Sequence, residues 1–137
     1  MGLVLDSSAA VAAERAGTNP RRMLENIALR TGDEEIAVSV VTLLELAHGV
    51  YRALEPQRKE RRRRFLDELM AVIPIQPVTS SVALRAGQID GESQANGVHI
   101  PLSDLLIGVT ALELGYEVGT GNVRHFQLIP GLRVISL

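Results

Sequence analysis

The chain has 137 residues, 14 basic and 16 acidic side chains, a formal net charge of −2, 46% hydrophobic and 3% aromatic residues, and no cysteine. That length suits one domain with its own core, and that apolar content excludes a disordered chain. The few aromatics argue against a module that stacks bases on a sheet, and the missing cysteines exclude disulfides, thiolate zinc sites and cysteine nucleophiles.

Residues 2–6 read as a buried strand ending in "LVLD", and 7–16 as a short helix capped by Ser7 or Ser8. A helix is predicted from about Pro20 to Arg30, with proline in its first turn and Gly32 as its stop. Residues 35–39 read as a second strand. Residues 40–54 read as a helix whose apolar stripe is Val40, Leu43, Leu44, Ala47, Val50, Tyr51 and Leu54. Pro56 separates it from a charged helix over 57–71, and 72–78 holds a short strand broken by prolines. Helices follow over 79–97 and 101–115, each ending near a glycine, then strands over 116–120 and 132–137. No stretch resembles a secretory signal, and no apolar run reaches the ~18 residues that would span a membrane, so the expected location is the cytoplasm.

Short apolar strands alternating with helices predict a single α/β domain over 1–137, in three layers with helices on both faces of a mostly parallel sheet of about four to five strands. In such sheets ligands bind at the carboxyl ends of the strands. Asp6 stands at such an end.

Three carboxylates sit inside apolar runs: Asp6 in "LVLDSS", Glu45 in "VTLLELAHG" and Asp104 in "PLSDLLIGV". Asn122 follows a strand in "VGTGNVRHF", whereas Glu34, Glu55, Glu60 and Glu68 lie among charged neighbours and read as solvated. Each buried-looking acid has an ordinary explanation alone. Asp6 fits a helix cap, Glu45 an exposed helix face, and Asp104 a first helical turn where an acid complements the dipole. The set carries the argument. Desolvating a carboxylate costs several kcal/mol, and converging carboxylates repel. A shared proton or a divalent cation offsets that repulsion, and all-oxygen ligands favour Mg²⁺ or Mn²⁺.

These stretches resemble the PIN-domain ribonucleases, and among them the VapC-like toxins of bacterial toxin–antitoxin pairs. "LVLDSSAAVA" is similar to the family's strand ending in Asp and Ser or Thr. "SVVTLLELAHGV" is similar to its Thr-x-x-Glu-Leu-x-x-Gly helix, through Thr42, Glu45 and Gly49. "IPLSDLLIGVTALELG" is similar to its third acidic motif, through Asp104. "VGTGNVRHFQLIPGLRVI" is similar to its last motif, through Thr120 and Asn122. The chain departs from the pattern at Asn122, where many members carry a fourth acid, so a second tightly bound metal is placed in doubt.

The resemblance implies a PIN-like fold and metal-dependent hydrolysis of RNA phosphodiesters. It implies Asp6, Glu45 and Asp104 as metal ligands or catalytic acids, with Asn122 completing the site. Ser7, Thr42, Thr120 and His125 are weaker candidates for substrate contact or support of the acids; for His125, loop packing beside Phe126 is the simpler reading. Gly119 and Gly121 are expected to let backbone approach the site. The implied partners are an RNA substrate, a VapB-like antitoxin and a second copy in a homodimer. The other reading is a catalytically weak PIN-like scaffold that binds RNA or a partner protein.

The rival enzymes fit less well. A HAD-type phosphatase needs Asp where Ser8 stands, and a receiver domain needs a late lysine although the only lysine is Lys59. No phosphate loop and no Gly-x-Ser-x-Gly elbow occurs. The run "RKERRRRF" (58–65) reads as a solvated helix face laced by Glu60–Arg64, Arg63–Asp67 and Arg64–Glu68, or as an RNA-binding patch.

Overall fold

The computed structural model describes residues 1–32 and 34–137. Strands β1 (Gly2–Leu5), β2 (Glu35–Ser39), β3 (Ile75–Gln76), β4 (Glu117–Thr120) and β5 (Val134–Ser136) form one sheet in the order β3-β2-β1-β4-β5. Every pairing is parallel. The connecting helices are α1 (Ser7–Arg15), α2 (Pro20–Thr31), α3 (Val40–Arg52), α4 (Pro56–Val72), α5 (Ser80–Ala95), α6 (Leu102–Leu114) and α7 (Val123–Phe126). This is the expected α/β architecture.

The central strand explains the layers. All four residues of β1 are buried, as a parallel strand covered on both faces requires. Its side chains alternate between two cores. Leu3 and Leu5 join Met23, Ile27, Phe65 and Leu69 from α2 and α4. Val4 joins Val118, Val82, Leu105, Val109 and Phe126 on the opposite face. Burying one such side chain is worth about 1.5–3 kcal/mol, so both helical layers are anchored through β1.

Local signals set the helix ends. Asn19 Oδ1 accepts the Arg22 amide at 2.8 Å with Pro20 behind it, and Gly32 stops α2 at φ +92°. Thr79 caps α5, and Gly115 ends α6 in the left-handed region at φ +71°.

Four details differ from the sequence expectation. First, β1 ends at Leu5. Asp6 takes the cap position of α1 and both serines lie inside the helix. Second, Pro56 opens α4, because its missing N–H needs no partner in a first turn. Third, the short helix α7 was not expected. Fourth, the inward side of α3 is a different stripe. Thr42 and Val50 are buried, and Val41, Leu43 and Leu46 pack against the cores. Val40, Leu44, Tyr51 and Leu54 are exposed, Leu54 almost completely. Two apolar stripes share this helix, and periodicity alone does not say which turns inward. No helix among the described residues is long and apolar enough to cross a membrane.

Candidate active site

The strand order makes β1 and β4 neighbours although long crossovers leave them on opposite sides. β1 feeds α1 and then β2 on one side, whereas β4 arrives on the other after α6. Their carboxyl ends therefore flank the switch point where α/β sheets bind ligands. The Asp6 amide donates to Gly119 O at 3.3 Å, so the ladder between these strands carries on to the acid itself.

Asp6 is only 4% exposed. Ser8 Oγ donates to its Oδ1 at 2.7 Å, and Thr120 Oγ1 donates to its Oδ2 at 2.7 Å. Both hydroxyl protons are thus committed to the carboxylate. Their oxygens in turn accept backbone amides: Gly121 N–H to Ser8 at 2.9 Å and Asn122 N–H to Thr120 at 2.8 Å. Burial lifts the Asp6 carboxyl above its ordinary pKa; the two hydroxyls pull it down, and the charge of Asp104 adds to the rise.

Glu45 projects from the second turn of α3 and is half-buried. Ser7 Oγ donates to its Oε1 at 3.1 Å. Burial raises its pKa too. The Ser7 hydroxyl opposes that rise, the charges of Asp104 and Asp6 reinforce it, and the Ser103 hydroxyl opposes it slightly. The three acids therefore feel one another across the site. Thr42 is fully buried and donates to Leu5 O at 3.3 Å. It fastens α3 to the end of β1 and so sets the position of Glu45.

Asp104 lies in the first turn of α6, its Oδ2 2.8 Å from His125 Nδ1. Asn122 reaches the same ring nitrogen at 3.1 Å. One nitrogen cannot donate to Asp104 and accept from Asn122 together. The carboxylate is the stronger partner, so Nδ1–H faces Asp104, and Asn122 Nδ2 stands beside the ring. His125 therefore does not merely pack the loop beside Phe126. Phe126 is fully buried, and His125 turns the other way onto an acid.

Other expectations need correction. A Cβ on Gly119 would meet Leu137 Cδ1 at 2.9 Å and Leu3 Cδ2 at 3.0 Å, so core packing explains that glycine rather than approach to the site. Gly121 does face the site, through its amide. Glu34 is half-buried, with Oε2 shielded from water. None of the three ion pairs expected along α4 forms among the described residues; Arg58 meets Glu55 and Arg61 meets Glu14, each at 3.9 Å. His48 and His99 are exposed.

Sequence reasoning missed Ser103 and gave Ser8 only as an alternative to Ser7. The hydroxyls beside each acid, Ser7-Ser8 after Asp6 and Ser103 before Asp104, were the available signal.

The donor set is entirely oxygen apart from His125. Among the described residues no lysine or arginine pairs with Asp6 or Glu45, and no three acids or histidines stand close enough to clasp a metal as they are. Burial and mutual repulsion hold two carboxyls above their ordinary pKa, which is the electrostatic condition a hard cation relieves. The residues fit a divalent cation in chemistry.

Comparison with known proteins identifies the family and agrees with the fold. The PIN-domain family profile matches residues 3–129. The tRNA(fMet)-specific endonuclease VapC of Salmonella typhimurium is 29% identical over 84% of this chain and 83% of its own. Ribonuclease VapC10 of Mycobacterium tuberculosis is 33% identical over 74% of this chain and 70% of its own. In the crystal structure of VapBC2 from Rickettsia felis bound to a promoter DNA fragment, one chain superposes with a TM-score of 0.84 at 25% identity, covering 100% of this chain and 99% of that one. The chain belongs to the PIN-domain family, in its VapC ribonuclease branch.

Proposed function

We propose that this chain is the endoribonuclease toxin of a VapBC-type toxin–antitoxin pair, cutting RNA phosphodiesters at Asp6, Glu45 and Asp104 with the help of Mg²⁺ or Mn²⁺. The observation that carries the reading is the convergence of three carboxylates at the β1/β4 switch point, with Asp6 and Glu45 held above their ordinary pKa. When bound, such a cation polarises the phosphoryl oxygen and lowers the pKa of an attacking water.

The chain's own residues do the rest. Asp6 and Asp104 would hold the cation. Ser8 and Thr120 fix both oxygens of Asp6, so its orientation needs no adjustment on binding. Glu45, steadied by Ser7, orients the water and takes its proton; a raised pKa brings a carboxylate nearer the operating pH of a general base. His125 steadies Asp104, and Asn122 stands against the same ring as a neutral neighbour of the acids.

The VapBC complex from Rickettsia felis supports a VapB-like antitoxin as partner. A homodimer is supported by the outward face of α3, where Val40, Leu44 and Tyr51 are exposed, with exposed Leu54 just beyond the helix end. The scaffold reading draws on Asn122 and on the absence of a ready-made metal clasp among the described residues.

Purified protein, free of antitoxin, is incubated with total RNA in Mg²⁺ or in EDTA, beside Asp6→Asn. Metal-dependent cuts at discrete positions, lost in the variant, establish the nuclease. Metal binding by calorimetry without cuts establishes the scaffold.

A further inference from the structure

An acidic catalytic site repels a polyanionic substrate. Three carboxylates at the mouth of the switch point push phosphates away, so the surrounding surface must attract them. Arginines cluster beside Glu45, where α1, α3 and α4 meet.

A groove begins at Glu45 and runs over Ala10, Val11, Leu46 and Phe65 to Arg15 and Arg62. Arg15 and Arg62 also line the next depression, with Arg58 and Arg61, and Arg58 and Arg62 continue to Arg52. Five arginines, Arg15, Arg52, Arg58, Arg61 and Arg62, thus form one band leading away from the acids. Among the described residues the acids that meet them are Glu14 and Glu55, each in a loose contact of 3.9 Å with one arginine. Arg58 and Arg61 remain 53% and 63% exposed even so. Arg62 is committed elsewhere: its Nη1 donates to Gly49 O at 2.8 Å and ties α4 to α3. A merely solvated helix would show the i,i+4 pairs written into its sequence. Here Arg61 reaches Glu14 on α1 and Arg62 reaches Gly49 on α3.

We propose that the band formed by Arg15, Arg52, Arg58 and Arg61 binds the phosphate backbone of the RNA on one side of the scissile bond, with Arg62 holding the surface in place. The assignment rests on the ribonuclease reading above. Arginine suits it, because its planar fork accepts a phosphate bidentately and stays charged. The groove's continuity with Glu45 favours RNA over an acidic protein segment, since the strand to be cut lies against the acids at its end.

The test uses Asp6→Asn protein, so that RNA survives the measurement, and a fluorescein-labelled single-stranded RNA read by anisotropy at several salt concentrations. The double variant Arg15→Gln/Arg58→Gln removes two cations that make no contact holding the fold together. Arg133→Gln, an exposed arginine away from the band, is the control. The double variant is expected to weaken binding about tenfold and to lower the slope of log affinity against log salt by about 1.4, at ~0.7 per phosphate contact on a single strand. In the Asp6-containing protein the same pair should raise KM and leave kcat nearly unchanged. Wild-type affinity and slope in the double variant overturn the proposal, as does an equal loss in Arg133→Gln. If the double variant keeps RNA affinity but loses an acidic antitoxin peptide, the band belongs to the protein partner and the RNA assignment falls. Absence of RNA binding and cutting in the unsubstituted band overturns both this and the nuclease reading, a pattern distinct from failure of the band alone.

Discussion

Thr120 Oγ1 donates to Asp6 Oδ2 at 2.7 Å although 114 residues separate the two along the chain. Ser8 holds the other oxygen at the same distance. Thr120 is fully buried, so water does not compete for its donor. The carboxylate is presented in one orientation, with its remaining lone pairs facing the site.

Removing that donor should cost rate. Thr120→Val keeps the shape and loses the hydrogen bond. Bonds to charged groups are worth about 1.5–3 kcal/mol, which corresponds to a fall of roughly 10- to 100-fold in cleavage. Thr120→Ser should retain most activity. Initial rates on one RNA at saturating Mg²⁺ decide it, and an unchanged rate in Thr120→Val shows that the hydroxyl does not position Asp6.

The raised carboxyls make stability depend on pH in a definite direction. Folded Asp6 and Glu45 bind protons more tightly than the unfolded chain, whose ordinary values are 3.8 and 4.5. Where the native state holds more protons, stability falls as pH rises. Their stabilising contribution is therefore complete below the ordinary carboxyl range and is lost as pH climbs through the raised values. Urea midpoints in EDTA from about pH 4 to about pH 7 should decline more steeply in wild type than in Asp6→Asn/Glu45→Gln. Equal slopes would show that the two acids are not linked to folding.

Asp6→Asn should separate activity from stability. Cleavage falls by roughly a thousandfold or more, as for other essential catalytic groups. The metal-free protein melts higher, because a buried, repelled charge is gone; each kcal/mol gained moves Tm by about 4 °C. A melt in EDTA and a cleavage assay in Mg²⁺ read the two effects. A lower melting temperature would mean that Asp6 in its charged form supports the fold.

Gly119→Ala should damage the fold instead. The new methyl meets the side chains of buried Leu3 and partly buried Leu137 at 3.0 Å or less, and overpacking of this kind costs about 1–3 kcal/mol. Chemical denaturation measures it. A neutral result would show that the strand ends shift to make room.

The architecture was legible because its signals are local. Alternating strands and helices, Pro20 and Gly32 around α2, and Gly115 after α6 all act within a turn. The three acids were legible because carboxylates stand out in apolar runs. What escaped depends on contacts across the fold. α3 carries two apolar stripes, and only packing against β1 and α4 selects Thr42 and Val50 as the inward pair. The side chain of His125 was assigned to packing because Asp104, 21 residues away, is its partner only after α6 and α7 meet. Along α4 the contacts that do form are made by Arg61 and Arg62 with Glu14 and the Gly49 carbonyl on other helices, partners that spacing along one helix does not reveal.

The sheet also dictates when the enzyme comes into being. β1 is made first, yet one of its two neighbours is β4, which begins at Glu117. Asp6 waits through synthesis for Thr120, the Gly121 amide and the His125–Asn122 pair. Synthesis runs at about 5–20 residues per second, so for several seconds the nascent chain carries its acids with no partners to orient them. The site of a ribonuclease of this fold is thus assembled only once β4 and α7 have followed β1 out of the ribosome.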